Sequence, residues 1–325
     1  MVREVFMEPL QEGVVLRERY RVEARVETGR DENLYRVRDQ RFSTDWAMRE
    51  YDITVLAPDH REAACAAFEA EAARLAPLRH QGLAQIVDHF IEGDRAYVLS
   101  EWVEGVPWEA LVARHGGKLP LEMVADLGAK LLDVVYFFHT GYDPVPIRVI
   151  GPRTVWVNED EEIKLYDQGL GMHFRAGEGT AKVCGAPGYQ APEHLAGGPP
   201  DLLMDIYATG ALLHLAVTGS PPGEGQGLGP EVPPALARVI TKSVNPDPTQ
   251  RHFDTGELKH DLMAVAEGFA PDDTPSAGAV ASTEAPAVVD GAKAPKGQIV
   301  GSKRSGGCAP VLIAWLAICA AWWFA

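Results

Sequence analysis

The stretch IRVIGPRT, residues 147–154, lies between an apolar helical run and a strand-like run. It contains no carboxylate, no amide and no histidine. Since proton transfer in enzymes is carried out mainly by His, Asp, Glu, Lys, Tyr and Cys side chains, this loop offers no general acid or base. The next carboxylate of interest, Asp167, starts an Asp-Gln-Gly sequence. Asp-x-Gly favours a turn, and a lone Asp could equally hold one cation weakly, so both interpretations stay open.

Cysteine chemistry is not indicated by the spacing of the four cysteines, Cys65, Cys184, Cys308 and Cys319. No pair has the spacing of a metal site or of a redox motif. We therefore expect free thiols in a reducing compartment.

The chain carries a net charge of −16. Residues 271–325 contain equal numbers of acidic and basic side chains, so the whole excess falls on residues 1–270. An acidic body repels nucleic-acid phosphates, and we expect no nucleic-acid partner.

Periodicity predicts a strand-rich part followed by a helical part. Within residues 19–54, YRVEARV, LYRVRD and DWAMREYDI are typical of short strands. Residues 61–78 are alanine-rich with apolar positions at helical spacing, which predicts a helix. IVDHFIEGDRAYVLSEWV predicts a hairpin with Gly93 and Asp94 in its turn. Further helices are expected at 120–139, 201–217, 233–243 and 254–268.

Residues 270–308 differ from the rest in composition. They are rich in Ala, Pro, Gly and Ser and contain no aromatic residue. Such a segment cannot bury enough apolar surface to offset its ordering entropy, which indicates a disordered linker.

The last 17 residues, 309–325, carry no charge. This length is the short limit for crossing a bilayer core of about 30 Å. Lys303 and Arg304 precede the segment, and two tryptophans lie near its far end, as expected for the flanks of a membrane span. We expect a single-pass tail anchor in the cell membrane with the preceding part cytoplasmic. The alternative is a C-terminal helix that packs on the domain.

Nine segments stand out in order along the chain: ETGRDENLYRVRD, WAMR, FEAEAARLAPLRHQ, YVLSEWVEG, IRVIGPRT, IKLYDQG, GAPGYQAPEH, DIYATGALLHLAVTGSPP and NPDPTQR. In this order they resemble the motifs of the bacterial (Hanks-type) Ser/Thr protein kinase family. The resemblance covers roughly residues 19–268.

The resemblance implies an α+β, bilobal kinase-like fold with a small antiparallel-sheet N-lobe and a larger helical C-lobe. The predicted parts are an N-terminal arm (1–18), the N-lobe (19–102), the C-lobe (103–269), the linker (270–308) and a transmembrane tail anchor (309–325).

The N-lobe motifs imply a nucleotide site that is only partly preserved. The glycine-rich loop positions hold Glu27, Gly29 and Glu32, and two carboxylates would repel a triphosphate. Arg49 stands where the family has its phosphate-binding Lys. The C-helix carboxylate is present as Glu71, and we expect an Arg49–Glu71 ion pair, more structural than nucleotide-clamping.

The C-lobe motifs imply that the residues that carry out catalysis in the family are replaced in this chain. The catalytic Asp position is Val149, the phosphate-contacting Lys position is Gly151 and the metal-binding Asn position is Thr154. Asp167 remains as a candidate magnesium ligand. Loss of a general base alone typically costs about 10²–10⁴-fold in rate.

Positions that the family uses for architecture are kept. Asp205 is expected to hold the catalytic-loop backbone, and Glu193 and Arg251 are expected to form a buried pair. Thr180 is a candidate phosphosite, with Arg148 as its potential charge partner.

Three functions remain open at this point. The first is a membrane-tethered pseudokinase that acts as a signalling scaffold or regulator through protein partners. The second is a weak or atypical Ser/Thr kinase that uses Arg49 and Asp167. The third is a sensor that binds ATP and Mg²⁺ without turnover. The altered glycine-rich loop favours weak or absent nucleotide binding.

Overall fold

The computed structural model describes residues 7–28, 32–141, 144–175, 186–223 and 227–268. An antiparallel sheet of six strands forms the N-lobe, in the order β1-β2-β3-β4-β6-β5. Its strands are β1 (Val15–Leu16), β2 (Tyr20–Thr28), β3 (Glu32–Asp39), β4 (Thr44–Asp52), β5 (Ile86–Glu92) and β6 (Arg95–Glu101). The strands and the hairpin predicted from alternation are confirmed, and Gly93 takes the positive φ of 60° that its turn requires.

The segment predicted as an N-terminal arm contributes to the sheet. Val15 pairs with Arg21 and Leu16 with Tyr20, so β1 covers the outer edge of β2. Leu16 is buried in the N-lobe core. Part of the predicted arm (1–18) therefore packs with the N-lobe sheet.

Helix α1 (Pro58–Leu75) packs on the sheet and carries the predicted C-helix motif. It buries Ala64, Phe68, Ala72 and Leu75, which are spaced by four, four and three residues and so share one face. The helix begins three residues earlier than predicted because Pro58 suits the first helical position, where its missing N–H is not needed.

The C-lobe is mainly helical. Its helices are α2 (Trp108–Arg114), α3 (Leu121–Thr140), α4 (Pro192–Leu195), α5 (Leu203–Thr218), α6 (Pro234–Ser243) and α7 (Thr255–Ala266). A small sheet joins β7 (Val106–Pro107), β8 (Val155–Val157) and β9 (Ile163–Leu165). The four helices predicted in this region are confirmed within about two residues at each end, the uncertainty expected of helix boundaries.

Helix α5 is the centre of the C-lobe. Every residue from Met204 to Val217 is buried, which explains an apolar run without an amphipathic period. Gly210 lets α6 approach closely, because a Cβ there would lie 2.4 Å from the Cβ of Ser243. This rigid helix carries Asp205 in its first turn.

No helix of the described residues is long and apolar enough to span a membrane. The predicted linker (270–308) and tail anchor (309–325) lie outside the described residues. Both therefore remain predictions.

Candidate functional site

The loop between α3 and β8 is held in shape by one buried carboxylate, that of Asp205. Its two oxygens accept hydrogen bonds from the backbone N–H groups of Ile147 at 2.7 Å and Arg148 at 2.9 Å. His139 of α3 lies 2.9 Å from the same carboxylate. Arg148 has a φ of 66°, a left-handed conformation that non-glycine residues rarely adopt. Asp205 thus imposes a loop conformation that the chain would not choose alone.

The side chains of this loop are used for packing. Val149, at the position of the missing base, is only 3% exposed and belongs to the main hydrophobic core with Ile147 and Ile150. The Thr154 hydroxyl donates to the carbonyl of Val149 at 2.7 Å and lies 3.1 Å from that of Gly151. The loop therefore closes on itself and presents no side chain that could take a proton or hold a cation.

Asp167 lies at the start of a tight turn. Its Oδ1 accepts a hydrogen bond of 2.8 Å from the backbone N–H of Gly169, whose φ is 85°. The neighbouring Gln168 donates from Nε2 to the carbonyl of Ala84 at 2.8 Å. Across the described ranges, no group of three His, Cys, Asp or Glu side chains could hold a metal ion. The turn interpretation of Asp167 thus accounts for its geometry.

Arg49 does not form the predicted ion pair with Glu71. Its guanidinium Nη1 lies 3.8 Å from Oε1 of Glu32, and the side chain is almost fully buried. Burial alone would lower the pKa of Arg49, but the carboxylates of Asp167 and Glu32 more than offset it and raise that pKa. Arg49 therefore stays charged and forms an ion pair with Glu32 at the cleft.

Glu71 instead points toward the catalytic loop. Its Oε1 accepts a hydrogen bond from Arg148 Nη2 at 3.0 Å, and Oε2 lies 2.5 Å from Nε2 of His173. Arg74, one turn along α1, is 3.3 Å away. Burial would raise the pKa of Glu71, but the hydrogen bond with His173 and the charge of Arg148 lower it. The guanidinium of Arg148 was expected to be the charge partner of Thr180. It is paired with Glu71 instead.

An aromatic layer explains why the predicted pair fails to form. A 3₁₀ helix, Leu170–Phe174, follows the Asp-Gln-Gly turn and packs under α1. The ring centroid of Phe174 lies 5.1 Å from that of Phe68 on α1 and 6.1 Å from that of Tyr51 on β4. A Cβ at Gly171 would lie 2.4 Å from the Tyr51 ring. These rings fill the space between β4 and α1 across which the predicted pair would have to meet.

Two further aromatic side chains fill the space between the lobes. Trp156 of β8 stacks on Tyr166, with ring centroids 4.8 Å apart and planes 17° from parallel. Both are buried. They form one cluster with residues of the N-lobe sheet and of the connection between the lobes, namely Leu34, Ala47, Ala84, Val103 and Trp102. The two sheets therefore meet through packed apolar groups.

A cavity remains beside this cluster, with a volume of about 10 Å³. That volume suffices for roughly one water molecule, whereas ligand pockets span about 300–1,000 Å³. Its lining includes Arg49, Tyr51, Tyr166, Asp167 and Gln168. This cavity itself is too small to hold a nucleotide.

An ion-pair group joins the lobes at the mouth of the cleft. Arg153, in the catalytic loop, lies 3.0 Å from Glu27 of β2 and 2.9 Å from Glu109 of α2. The carboxylates that would repel a triphosphate, Glu27 and Glu32, are thus each balanced by an arginine of the chain itself.

Glu193 and Arg251 form a bidentate pair. Arg251 donates from Nη1 and Nη2 to the two Glu193 oxygens, both at 2.7 Å. It also donates to the carbonyls of Asn245 and Leu203, and its guanidinium lies over the Tyr207 ring. Burial would raise the pKa of Glu193, but the hydrogen bond from Arg251 lowers it. This contact joins α4, α5 and the segment before α7.

Two residues singled out from the sequence, Gly29 and Thr180, lie outside the described residues. Sequence reasoning missed Trp156 and Tyr166 as part of the site. A signal was present, because Tyr166 directly precedes Asp167 and Trp156 follows Thr154 by two residues. Large rings next to both candidate metal positions indicate a crowded cleft.

Residues 20–252 match the family described as protein kinase domain. This span is well over half of the chain, and the chain belongs to the protein kinase family. Its fold is the bilobal kinase fold expected from the motif order.

Curated relatives are bacterial Ser/Thr kinases. A probable serine/threonine-protein kinase of Clostridium acetobutylicum is 24% identical over 286 residues, covering 80% of this chain and 42% of that protein. The serine/threonine-protein kinase PknL of Mycobacterium tuberculosis is 27% identical over 290 residues, covering 83% of this chain and 71% of that protein. The chain thus spans less than half the length of the first relative and about seven-tenths of the second.

Solved structures share the fold at low sequence identity. The apo form of PpkA-294 superposes with a TM-score of 0.65 at 23% identity, covering 78% of this chain and 99% of that one. The PknI kinase domain of M. tuberculosis gives a TM-score of 0.62 at 21% identity, covering 80% of this chain and all of that one.

Proposed function

We propose that this protein is a catalytically inactive pseudokinase that works as a signalling scaffold or regulator, tethered to a membrane by residues 309–325. The observation that carries the proposal is the state of the catalytic loop. Asp205 holds the loop in a defined conformation, while the position of the base is occupied by buried Val149. A hydrocarbon side chain neither orients nor deprotonates a substrate hydroxyl.

The proposal includes weak or absent binding of ATP and Mg²⁺, the cofactors of active kinases. Trp156 and Tyr166 occupy the space beside the inter-lobe connection, and the adjoining cavity is about 10 Å³. The cation of Arg49 lies close enough to Asp167 for that carboxylate to raise the pKa of Arg49, and a divalent cation at Asp167 would be repelled by it. We therefore derive no phosphoryl-transfer step for this chain.

A binding role is consistent with the intact C-lobe. The Glu193–Arg251 pair and the Asp205 contacts keep its surface well defined. Its partners would be proteins, because the acidic charge of residues 1–270 disfavours nucleic acid. Attachment through residues 309–325 would raise the effective concentration of the domain near membrane proteins.

Phosphate transfer tests the central part of this proposal. The full chain, in detergent and in lipid nanodiscs, is incubated with radiolabelled ATP, Mg²⁺, Mn²⁺ and a general protein substrate, beside an Asp167→Ala variant. We expect equal background labelling in both. Labelling that exceeds background and disappears in the variant would establish the weak-kinase alternative instead.

Membrane attachment is tested separately by flotation with vesicles. Leu316→Arg places a charge in the middle of the apolar segment, at a cost of about 2.5–3.5 kcal/mol for insertion. We expect the wild-type chain to float and the variant to stay with the soluble fraction. Equal flotation of the two, or failure of both to float, would contradict the tether.

A further inference from the structure

Three buried polar atoms at the cavity beside the Trp156–Tyr166 stack have no hydrogen-bond partner among the described residues. They are Nε of Arg49, the hydroxyl oxygen of Tyr166 and Oε1 of Gln168. These residues are only 8%, 3% and 8% exposed, and all three line the cavity of about 10 Å³. Since roughly 90% or more of buried polar groups in folded proteins are hydrogen-bonded, three unpartnered atoms at one cavity call for one explanation.

The orientation of the Gln168 amide is fixed by its other contact. Its Nε2 donates a hydrogen bond of 2.8 Å to the carbonyl of Ala84, which precedes β5. A carbonyl oxygen only accepts hydrogen bonds, so the amide nitrogen must face Ala84 and Oε1 must lie on the other side. Oε1 of Gln168 is therefore an acceptor that lacks a donor from the described part of the chain.

Arg49 supplies a donor close to this acceptor. Its Nη1 lies 3.8 Å from Glu32, whereas its Nε has no such partner. The guanidinium carbon is 5.7 Å from the centroid of the Tyr166 ring, so these two lining residues are neighbours. The Nε–H group of Arg49 is always protonated and can only donate.

The Tyr166 hydroxyl supplies a second donor. Burial raises the pKa of Tyr166, and the nearby backbone amide of Val103 partly offsets that rise. This amide does not reach normal hydrogen-bond geometry with the hydroxyl oxygen. A phenolic hydroxyl whose pKa is raised stays protonated at neutral pH and can donate its proton to an acceptor.

Asp167 supplies a second acceptor. Its Oδ1 accepts from the backbone N–H of Gly169 at 2.8 Å, and a carboxylate has about four lone-pair sites, so acceptor capacity remains. The hydroxyls of Tyr51 and Ser100 complete the polar part of the lining. The cavity thus brings together donors and acceptors that a single small molecule can join.

The size and the charge of the cavity together select water as its occupant. A volume of about 10 Å³ corresponds to roughly one water molecule. The cation of Arg49 repels a metal ion, and the carboxylate of Asp167 repels an anion, so a neutral molecule is favoured. A buried water typically makes about three hydrogen bonds to polar groups that lack other partners, as are present here.

We infer that the cavity is a binding site for one ordered water molecule. The water accepts hydrogen bonds from Arg49 Nε and from the Tyr166 hydroxyl, and it donates to Gln168 Oε1 and to the Asp167 carboxylate. Gln168 is then a positioning residue, because its amide bonds Ala84 directly and β4 through the water. The site belongs to the nucleotide-free chain and does not rest on the absence of phosphate transfer.

A crystal structure of the full chain, grown from detergent without nucleotide, tests the site directly. At a resolution that shows ordered waters, we expect one density peak within about 3.2 Å of Arg49 Nε and Gln168 Oε1. An empty cavity would overturn the inference. So would a peak with anomalous scattering, as chloride gives, or one with metal–oxygen distances of about 2.0–2.6 Å. This experiment needs no variant, so it decides the inference even where a substitution impairs folding.

Water-¹⁷O magnetic relaxation dispersion gives a second readout, because it counts water molecules that stay bound for longer than the protein takes to tumble. Gln168→Met replaces the amide by an apolar side chain of similar length. The matched control is Gln85→Met, which removes an amide that bonds the carbonyls of Ala76 and Ile86 and lies outside the cavity lining.

We expect Gln168→Met to lose one long-lived water relative to wild type and Gln85→Met to keep the wild-type number. Circular dichroism checks that both variants are folded. Equal numbers in all three chains would contradict the site, and so would an equal loss in both variants.

Discussion

Two buried charged groups, one in the C-lobe and one between the lobes, differ in how completely their polar atoms are bonded. Arg251 makes hydrogen bonds to both Glu193 oxygens and to backbone carbonyls. Arg49 has one carboxylate at 3.8 Å, and its Nε has no hydrogen-bond partner in the described part of the chain. The first group joins elements of the fold, whereas the second lies in the cleft for which we propose that kinase chemistry is absent.

The comparison separates the contacts that hold the kinase fold together from those that line the cleft. Contacts that hold elements together, such as Asp205 with the catalytic loop, do not require a nucleotide. In the proposed pseudokinase, Val149 and Arg49 need not serve a nucleotide: Val149 packs in the core and Arg49 lies near a carboxylate of the chain itself. Substitutions in the C-lobe group should therefore cost more stability than substitutions at the cleft mouth.

The largest effect is expected for Arg251→Ala. The change leaves Glu193 partly buried without its partner, and breaking such a pair costs about 3–5 kcal/mol. Urea denaturation followed by circular dichroism measures the loss in free energy of unfolding. If the free energy of unfolding fell by less than about 1 kcal/mol, the range of exposed ion pairs, the Arg251 group would not stabilise the fold more than the Arg49 group does.

The second effect concerns His252, which is fully buried beside Ser243 and Asp261. Burial, followed by the nearby charge of Lys242, lowers its pKa to about 4. The unfolded chain binds this proton at higher pH than the folded one. Stability therefore falls as pH drops from about 6.5 to about 4, by up to roughly 3 kcal/mol at about 1.36 kcal/mol per pH unit.

The His252 prediction is checked with His252→Gln. The difference in free energy of unfolding between the two chains should shrink by up to roughly that amount across the same pH window, because glutamine does not titrate. A constant difference between pH 4 and 7 would show that His252 is not the group responsible.

A smaller effect is expected for Thr154→Val in the catalytic loop. The variant loses the hydroxyl that bonds the carbonyls of Val149 and Gly151, at a cost of about 1 kcal/mol. The control is Thr218→Val, whose hydroxyl likewise bonds a backbone carbonyl, that of His214, and should cost a similar amount. If Thr154 were instead a metal ligand, only wild type would gain thermal stability on addition of Mg²⁺.

The smallest effect is expected for Arg153→Ala at the cleft mouth. Its side chain is largely exposed, and exposed ion pairs contribute under about 1 kcal/mol and are screened by salt. The difference in melting temperature between variant and wild type should vanish at high salt. A large, salt-independent loss would indicate that the lobes are locked together by this residue.

Much of the fold follows from local pattern. Alternation located β2 and β3, and the alanine-rich periodicity of residues 61–78 located α1, because each element buries one face at its own period. The order of the motifs predicted which groups Asp205 and Arg251 contact. Their contacts join elements that every such chain must hold together.

The remainder depends on packing that no local pattern encodes. The predicted Arg49–Glu71 pair failed because Phe174 reaches Phe68 and Tyr51. Phe174 lies more than a hundred residues along the chain from Glu71 and from Arg49. The Trp156–Tyr166 stack also requires two strands of the small sheet to meet. Both features arise from tertiary contacts between distant segments.

The most direct test of the account is nucleotide binding by the full chain. Calorimetry with ATP and Mg²⁺ is run on wild type and on Asp167→Ala, together with thermal unfolding at millimolar ATP. The account predicts no saturable heat and no shift, although a ligand at 100 times its Kd would add about 2.7 kcal/mol of stability. Saturable binding that disappears in Asp167→Ala would place a nucleotide in the cleft and contradict the account.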